Sequence, residues 1–129
     1  MRSNLWVAVL VYACALSAHA ADFDGSRFLI CAPVEAKSCS PTESCKNSTP
    51  GEIGAPSFVK IDFAKKQVMG PQRTTAIKVM EKDDNQIVLM GTELGFGWTI
   101  VLDQESGEIS STLSNRDGAI VMFGSCMAL

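Results

Sequence analysis

Residues 96–126 read FGWTIVLDQESGEISSTLSNRDGAIVMFGSC, and this stretch decides the fold class. Phe96 to Asp103 sets Phe96, Trp98, Ile100 and Leu102 on one face at period two, the signature of a half-buried strand. Gly95 and Gly97 interleave on the other face, where glycine marks a bend or a close approach of backbone. Ser106-Gly107 turns the chain, and Gly107 accepts positive φ without strain. Glu108 to Ser114 follows with Ile109 and Leu113 facing inward. Asn115-Arg116-Asp117-Gly118 is a second hairpin turn, and Ala119 to Cys126 completes three successive strands.

The same period runs upstream. Ser57 to Phe63 puts Val59, Ile61 and Phe63 opposite Lys60 and Asp62, and Lys65-Lys66 turns into a short return strand over Gln67 to Gly70. Thr74 to Lys82 alternates again, with Ile77 and Val79 opposite Lys78 and Lys82. Asp83-Asp84-Asn85 is a turn, and Gln86 to Met90 is apolar on both faces, as in a strand covered on each side. Arg27 to Val34 supplies the first strand. Glu35 to Pro56 carries Ser, Thr, Gly and Pro without a hydrophobic period and is expected to be a long loop held by its two cysteines. No long segment has a helical period. The expectation is an all-β domain, an antiparallel meander of seven to eight strands that pair with their sequence neighbours. Such a sheet curls into a small closed or partly closed β-barrel, which removes exposed edges; an open sandwich is the alternative. The many large inward residues predict a filled interior.

Met1 to Ala20 reads as an address. Arg2 gives a positive start, Leu5 to Leu16 is an unbroken apolar run of twelve residues, and Ala18-His19-Ala20 presents small residues at a cleavage site. This run is short of the roughly 20 residues needed to span a bilayer. It fits a secretory signal cut after Ala20, with residues 21–129 as one domain. Val11-Tyr12-Ala13-Cys14 allows a second reading, a lipoprotein box with lipidation at Cys14.

Of the 129 residues, 109 remain after the 20 of the leader, and loss of Arg2 takes the net charge from -3 to -4. The only histidine, His19, and the only tyrosine, Tyr12, go with the leader. Of five cysteines, four remain: Cys31, Cys39, Cys45 and Cys126. An even count in a short exported domain reads as two disulfides, and four cysteines allow three pairings. The favoured set closes the short Cys39–Cys45 loop and leaves Cys31–Cys126 to join the first strand to the last. The rival, a zinc site, normally uses close cysteine pairs or histidine partners. The spacing here offers neither.

The chemistry excluded is as informative. An acidic chain has no basic surplus to release counterions from a nucleic acid. Without histidine, Ser-His and Cys-His nucleophiles are ruled out of the domain. Ser57 or Thr75 near Lys60 or Lys78 reads as solvated strand face. Asp62, Glu81, Glu93 and Asp103 are carboxylates whose spacing places no two across a cleft. Asp83-Asp84-Asn85 is a turn rather than a calcium loop, and Gly91 to Gly97 lacks the Lys-Ser/Thr ending and helix of a phosphate cradle. Asn47-Ser48-Thr49 matches a glycosylation acceptor that only a eukaryotic secretory route uses. No catalytic, metal or cofactor residue is expected. The candidates for surface binding are Arg73 and Arg116, cations at turns, and Trp98, whose place on the apolar face favours a core role over an exposed ring.

The segments CAPVEAKSC, FVKIDF, RTTAIKVME, GTELGFGWTIVLD and FGSC together resemble small exported proteobacterial proteins of unassigned function. In size, leader, bridged ends and β-barrel the chain is also similar to the periplasmic inhibitors of c-type lysozyme. Those carry a Ser-Gly-x-x-Tyr inhibitory loop, and no tyrosine follows Ala20 here, so this likeness stops at the fold. The functional expectation is a non-enzymatic binding or interaction module of the bacterial envelope, with the Glu35–Pro56 segment as first candidate surface. An inhibitor of an envelope or host hydrolase, working through the Cys39–Cys45 segment, and a carrier of a small apolar ligand are the alternatives.

Overall fold

The computed structural model describes residues 22–129. The expected leader, with Cys14 and the expected cut after Ala20, lies outside the described residues. The domain is all-β and antiparallel: β1 (Leu29–Ser40), β2 (Glu43–Ser48), β3 (Val59–Asp62), β4 (Gln67–Met69), β5 (Thr74–Ala76), β6 (Val79–Lys82), β7 (Gln86–Glu93), β8 (Phe96–Asp103), β9 (Glu108–Asn115) and β10 (Gly118–Ala128). The strand order is β5-β4-β3-β1-β10-β9-β8-β7-β6, with β2 added beside β1. The sheet curls, and its two ends belong to one piece of chain. Ile77 N–H donates to the Lys66 carbonyl on the β4 side, and the next residue's N–H, at Lys78, donates to the Met90 carbonyl on β7 at 2.8 Å. The β5–β6 segment therefore leaves one edge and joins the other, giving a partly closed barrel.

The ten strands exceed the seven to eight expected, for two local reasons. Glu35 to Pro56 is not one loop. β1 continues to Ser40 and turns back as β2, with Lys37 opposite Asn47 and Ser38 opposite Lys46. Every residue of β2 but the half-buried Ser48 is exposed, so this hairpin has no apolar alternation to betray it. It is held by its backbone ladder and by the Cys39–Cys45 disulfide. The second difference is the break of Thr74–Lys82 into β5 and β6 at Ile77-Lys78. Ile77 is buried as expected, but the turn from one edge to the other resets the alternation, and Val79 faces out. Neighbour pairing holds for β1–β2, along β3–β5 and along β6–β10, but fails at two steps, β2 to β3 and β5 to β6. β1 lies between β3 and β10, the last strand, as the expected Cys31–Cys126 bond requires.

Cys31 pairs with Cys126 and Cys39 with Cys45. Cys31 stands directly opposite Cys126 in the β1–β10 ladder, so the bond crosslinks a register that backbone pairing has already set. Two disulfides point to an oxidising compartment. No helix among the described residues is long and apolar enough to cross a membrane.

The core is concentrated at one end of the barrel. Leu29, Ile61, Ile87, Leu89 and Leu102 are fully buried. Phe23 closes this end by lying on Gly107 (φ 75°), where a Cβ would come within 2.7 Å of its ring. Three hairpins are opened by an acceptor side chain. Asp83 Oδ1 takes the N–H groups of Asn85 and Gln86 at 2.7 and 2.8 Å, and Asp103 Oδ1 those of Glu105 and Ser106 at 2.8 and 2.9 Å. Asn115 Oδ1 takes those of Asp117 and Gly118 at 2.9 and 3.1 Å. These turns fix loop length and hence register.

Candidate apolar cavity at the barrel mouth

The other end of the barrel is not filled, which corrects the expectation of a packed interior. A cavity of about 400 Å³ opens there. Along β8 it runs from Ile100 through Trp98 to Phe96; Ile109 and Leu113 of β9 and Ile120 and Met122 of β10 continue the same wall, and Val59 of β3 and Val68 of β4 also line the cavity. It is well above the roughly 150 Å³ that accepts a benzene molecule and lies within the range of ligand pockets.

Three features of the chain hold this space open. Trp98 lies flat on β7 because its ladder partner is Gly91. A Cβ there would strike the indole ring and come within 2.7 Å of the Ala76 carbonyl oxygen, so Gly91 admits both the ring and the approach of β5. The indole is then pinned: Trp98 Nε1–H donates to Thr75 Oγ1 at 3.4 Å, and Thr75 Oγ1 donates to the Thr92 carbonyl at 3.2 Å. Lys78 Nζ donates to Thr92 Oγ1 at 2.5 Å, tying the β5–β6 segment to the same residue of β7.

The second feature is the strap over the mouth. Thr49 and Glu52 form a capping box: Thr49 N–H donates to Glu52 Oε2 at 2.8 Å, and Glu52 N–H donates to Thr49 Oγ1 at 3.4 Å. Hydrogen bonds from Thr49 and Ser48 hold the Glu52 carboxyl below its ordinary value. The turn delivers Ile53, Gly54, Ala55 and Pro56 to the cavity wall.

The third feature is the β7–β8 hairpin, whose two-residue loop has Leu94 at φ 48° and Gly95 at φ 81°. Positive φ at both positions is the twist a tight hairpin requires, normally supplied by Asn-Gly. Here a leucine takes the first position, is 67% exposed and lines the mouth.

Two of the three sequence candidates come together. Trp98 is 7% exposed, a core residue as the alternation favoured, and its face forms cavity wall; Arg73, exposed on the β4–β5 turn, lies on the rim. Arg116 is not part of the lining. It sits at the β9–β10 tip, 3.6 Å from Asp117 and almost fully solvated. Of the carboxylates, Asp62 caps the Lys65 N–H at 2.9 Å, Asp103 caps its turn, Glu81 is exposed on β6, and only Glu93 reaches the rim.

The residue that sequence reading passed over is Ser111. It lies between Ile109 and Leu113 on the inward face, opposite Ile100 on β8 and Met122 on β10. It is 8% exposed, the single polar residue among the buried side chains of the described residues, and it lines the cavity. Period two was signal enough: if Ile109 and Leu113 point in, so does the serine between them.

Compared with protein-family models, curated proteins and solved structures, the chain matches none.

Proposed function

We propose that this protein is an exported, non-enzymatic binding module whose site is the cavity at the barrel mouth, and that its ligand is a small apolar molecule. The observation that carries this reading is the 400 Å³ of apolar space kept open between Trp98, Phe96, Leu113 and Ile120. A barrel of this size with so many large inward side chains has the means to pack itself shut, and an unfilled apolar cavity costs stability. The leader Met1–Ala20, cut after Ala20, directs the domain to the envelope or beyond, which agrees with two disulfides.

Trp98 is the sole tryptophan among the described residues, so it reports on the cavity directly. Titration with N-phenyl-1-naphthylamine is expected to quench Trp98 emission saturably at one probe per chain. Quenching that stays linear in probe concentration removes the reading.

The crosslinked β1–β2 hairpin favours a second reading, inhibition of an envelope or host hydrolase. β2 lies off the barrel circuit, is exposed over nearly its whole length and is braced by Cys39–Cys45, as a rigid probe for a cleft would be. Inhibition of a lysozyme that is lost in a Cys39→Ala/Cys45→Ala variant supports it; unchanged lysozyme activity in the presence of excess wild-type protein removes it.

A further inference from the structure

Ser111 gives the ligand a chemistry. The residue is buried, 8% exposed, and it stands among Ile100, Ile109, Leu113 and Met122. Its hydroxyl joins none of the side-chain hydrogen bonds formed by the described residues. Yet no side-chain nitrogen or oxygen among those residues is sealed from solvent without a partner. Both statements hold together because Ser111 Oγ is reached through the cavity it lines. An apolar residue of similar size would serve the wall better if packing were its only task, since a hydroxyl in an apolar setting costs free energy until it is paired.

The charges of the lining fix the rest. Arg73 and Glu93 are its only ionisable side chains, one of each sign, and both stand where strands end at the mouth. No charged group lies along the walls to balance an ion inside, and an unbalanced charge in such a place is strongly disfavoured. Resting on the binding reading above, we infer that the cavity takes a neutral, apolar molecule of about two-ring size bearing one hydrogen-bonding oxygen, and that this oxygen enters first and pairs with Ser111 Oγ. The apolar body then lies against Trp98 and Leu113. A simple fatty acid, with its carboxylate held outside, leaves Ser111 unpaired and is not the preferred class.

Three probes of one shape test this: naphthalene, 2-naphthol and 2-naphthoate, titrated by calorimetry at neutral pH into wild type and Ser111→Ala. In wild type, 2-naphthol is expected to bind about fivefold more tightly than naphthalene, the worth of one net hydrogen bond, and 2-naphthoate more weakly than both. In Ser111→Ala the advantage of 2-naphthol disappears while naphthalene binds at least as well as before, which also shows that the variant is folded. Should Ser111→Ala fail to fold, the three affinities in wild type still decide. Equal binding of naphthalene and 2-naphthol, tighter binding of 2-naphthoate, or an undiminished preference in a folded Ser111→Ala overturns this inference and leaves the cavity reading standing. If none of the three binds, both fall.

Discussion

Leu94 holds a backbone conformation that a leucine adopts only under constraint. Its φ of 48° is the left-handed region, which costs an ordinary L-residue about 1–2 kcal/mol, and its side chain gains little in return because it is exposed. Strain of this kind gathers where a site needs a particular surface. Leu94→Asn is expected to raise stability by about 1 kcal/mol in urea unfolding, since Asn-Gly suits the turn, and to weaken uptake of apolar probes at the mouth. A loss of stability instead would mean that Leu94 is held by packing and not by the turn. Asp103 gives a second test at this scale. Its carboxyl lies below its ordinary value of 3.8, first because the Ser106 N–H and then because the Glu105 N–H donate to it. A depressed native pKa stabilises the fold above 3.8, and that stabilisation is lost as the pH falls from there through the lowered native value. Asp103→Asn keeps the acceptor and removes the titration. Its melting temperature is expected to drop less than that of wild type between about pH 6 and about pH 2, in thermal scans followed by circular dichroism.

The elements divide by how they are held, and this decides what sequence alone makes visible. β8 and β9 bury one face each, so period two announces them, down to the inward set Trp98, Ile100 and Leu102. β7 instead shows in the sequence as an apolar run on both faces and buries one of them, with Val88 and Met90 only half-buried. The three Asx-opened turns are equally plain, because the side chain that makes the turn is in the turn. β2 is held by a ladder and a crosslink, with polar residues on both faces, and leaves no periodic trace. The bend at Ile77-Lys78 is set by which edge each N–H finds, a long-range matter no local pattern encodes. The cavity was half legible. Trp98 and the inward row were readable, but an empty space is a sum over four strands and a strap, not a property of any one. The two disulfides separate the same way. Cys31–Cys126 closes a span of 95 residues and Cys39–Cys45 a span of 6. In the chain-entropy account these are worth about 4.7 and about 2 kcal/mol. Cys31→Ala/Cys126→Ala is therefore expected to lose about twice as much stability in urea as Cys39→Ala/Cys45→Ala, and the latter to retain its affinity for apolar probes. The reverse order would show that the hairpin supports the barrel.

At the scale of the whole molecule, stability and binding compete for one volume. The end of the barrel beneath Phe23 is packed with Leu29, Ile61, Ile87 and Leu102, while the end beneath the Ile53–Pro56 strap is open. Leu113 is the place to trade one for the other. It sits beside Trp98 of β8 and Ile120 of β10, its partners in the two flanking ladders, is half-buried, and lines the cavity. Leu113→Phe exchanges an isobutyl for a benzyl side chain, a modest net gain in volume and reach where space exists, so it avoids the crowding that makes small-to-large changes costly in a packed core. Cavity filling of this kind commonly adds about 0.5–2 kcal/mol, and the same ring occupies the path to Ser111. The variant is expected to melt at a higher temperature than wild type and to lose saturable quenching of Trp98 by N-phenyl-1-naphthylamine. A gain in stability with binding unchanged would place the probe elsewhere on the barrel. A loss of stability would show that the cavity walls are rigid and already shaped to a ligand different from a phenyl ring.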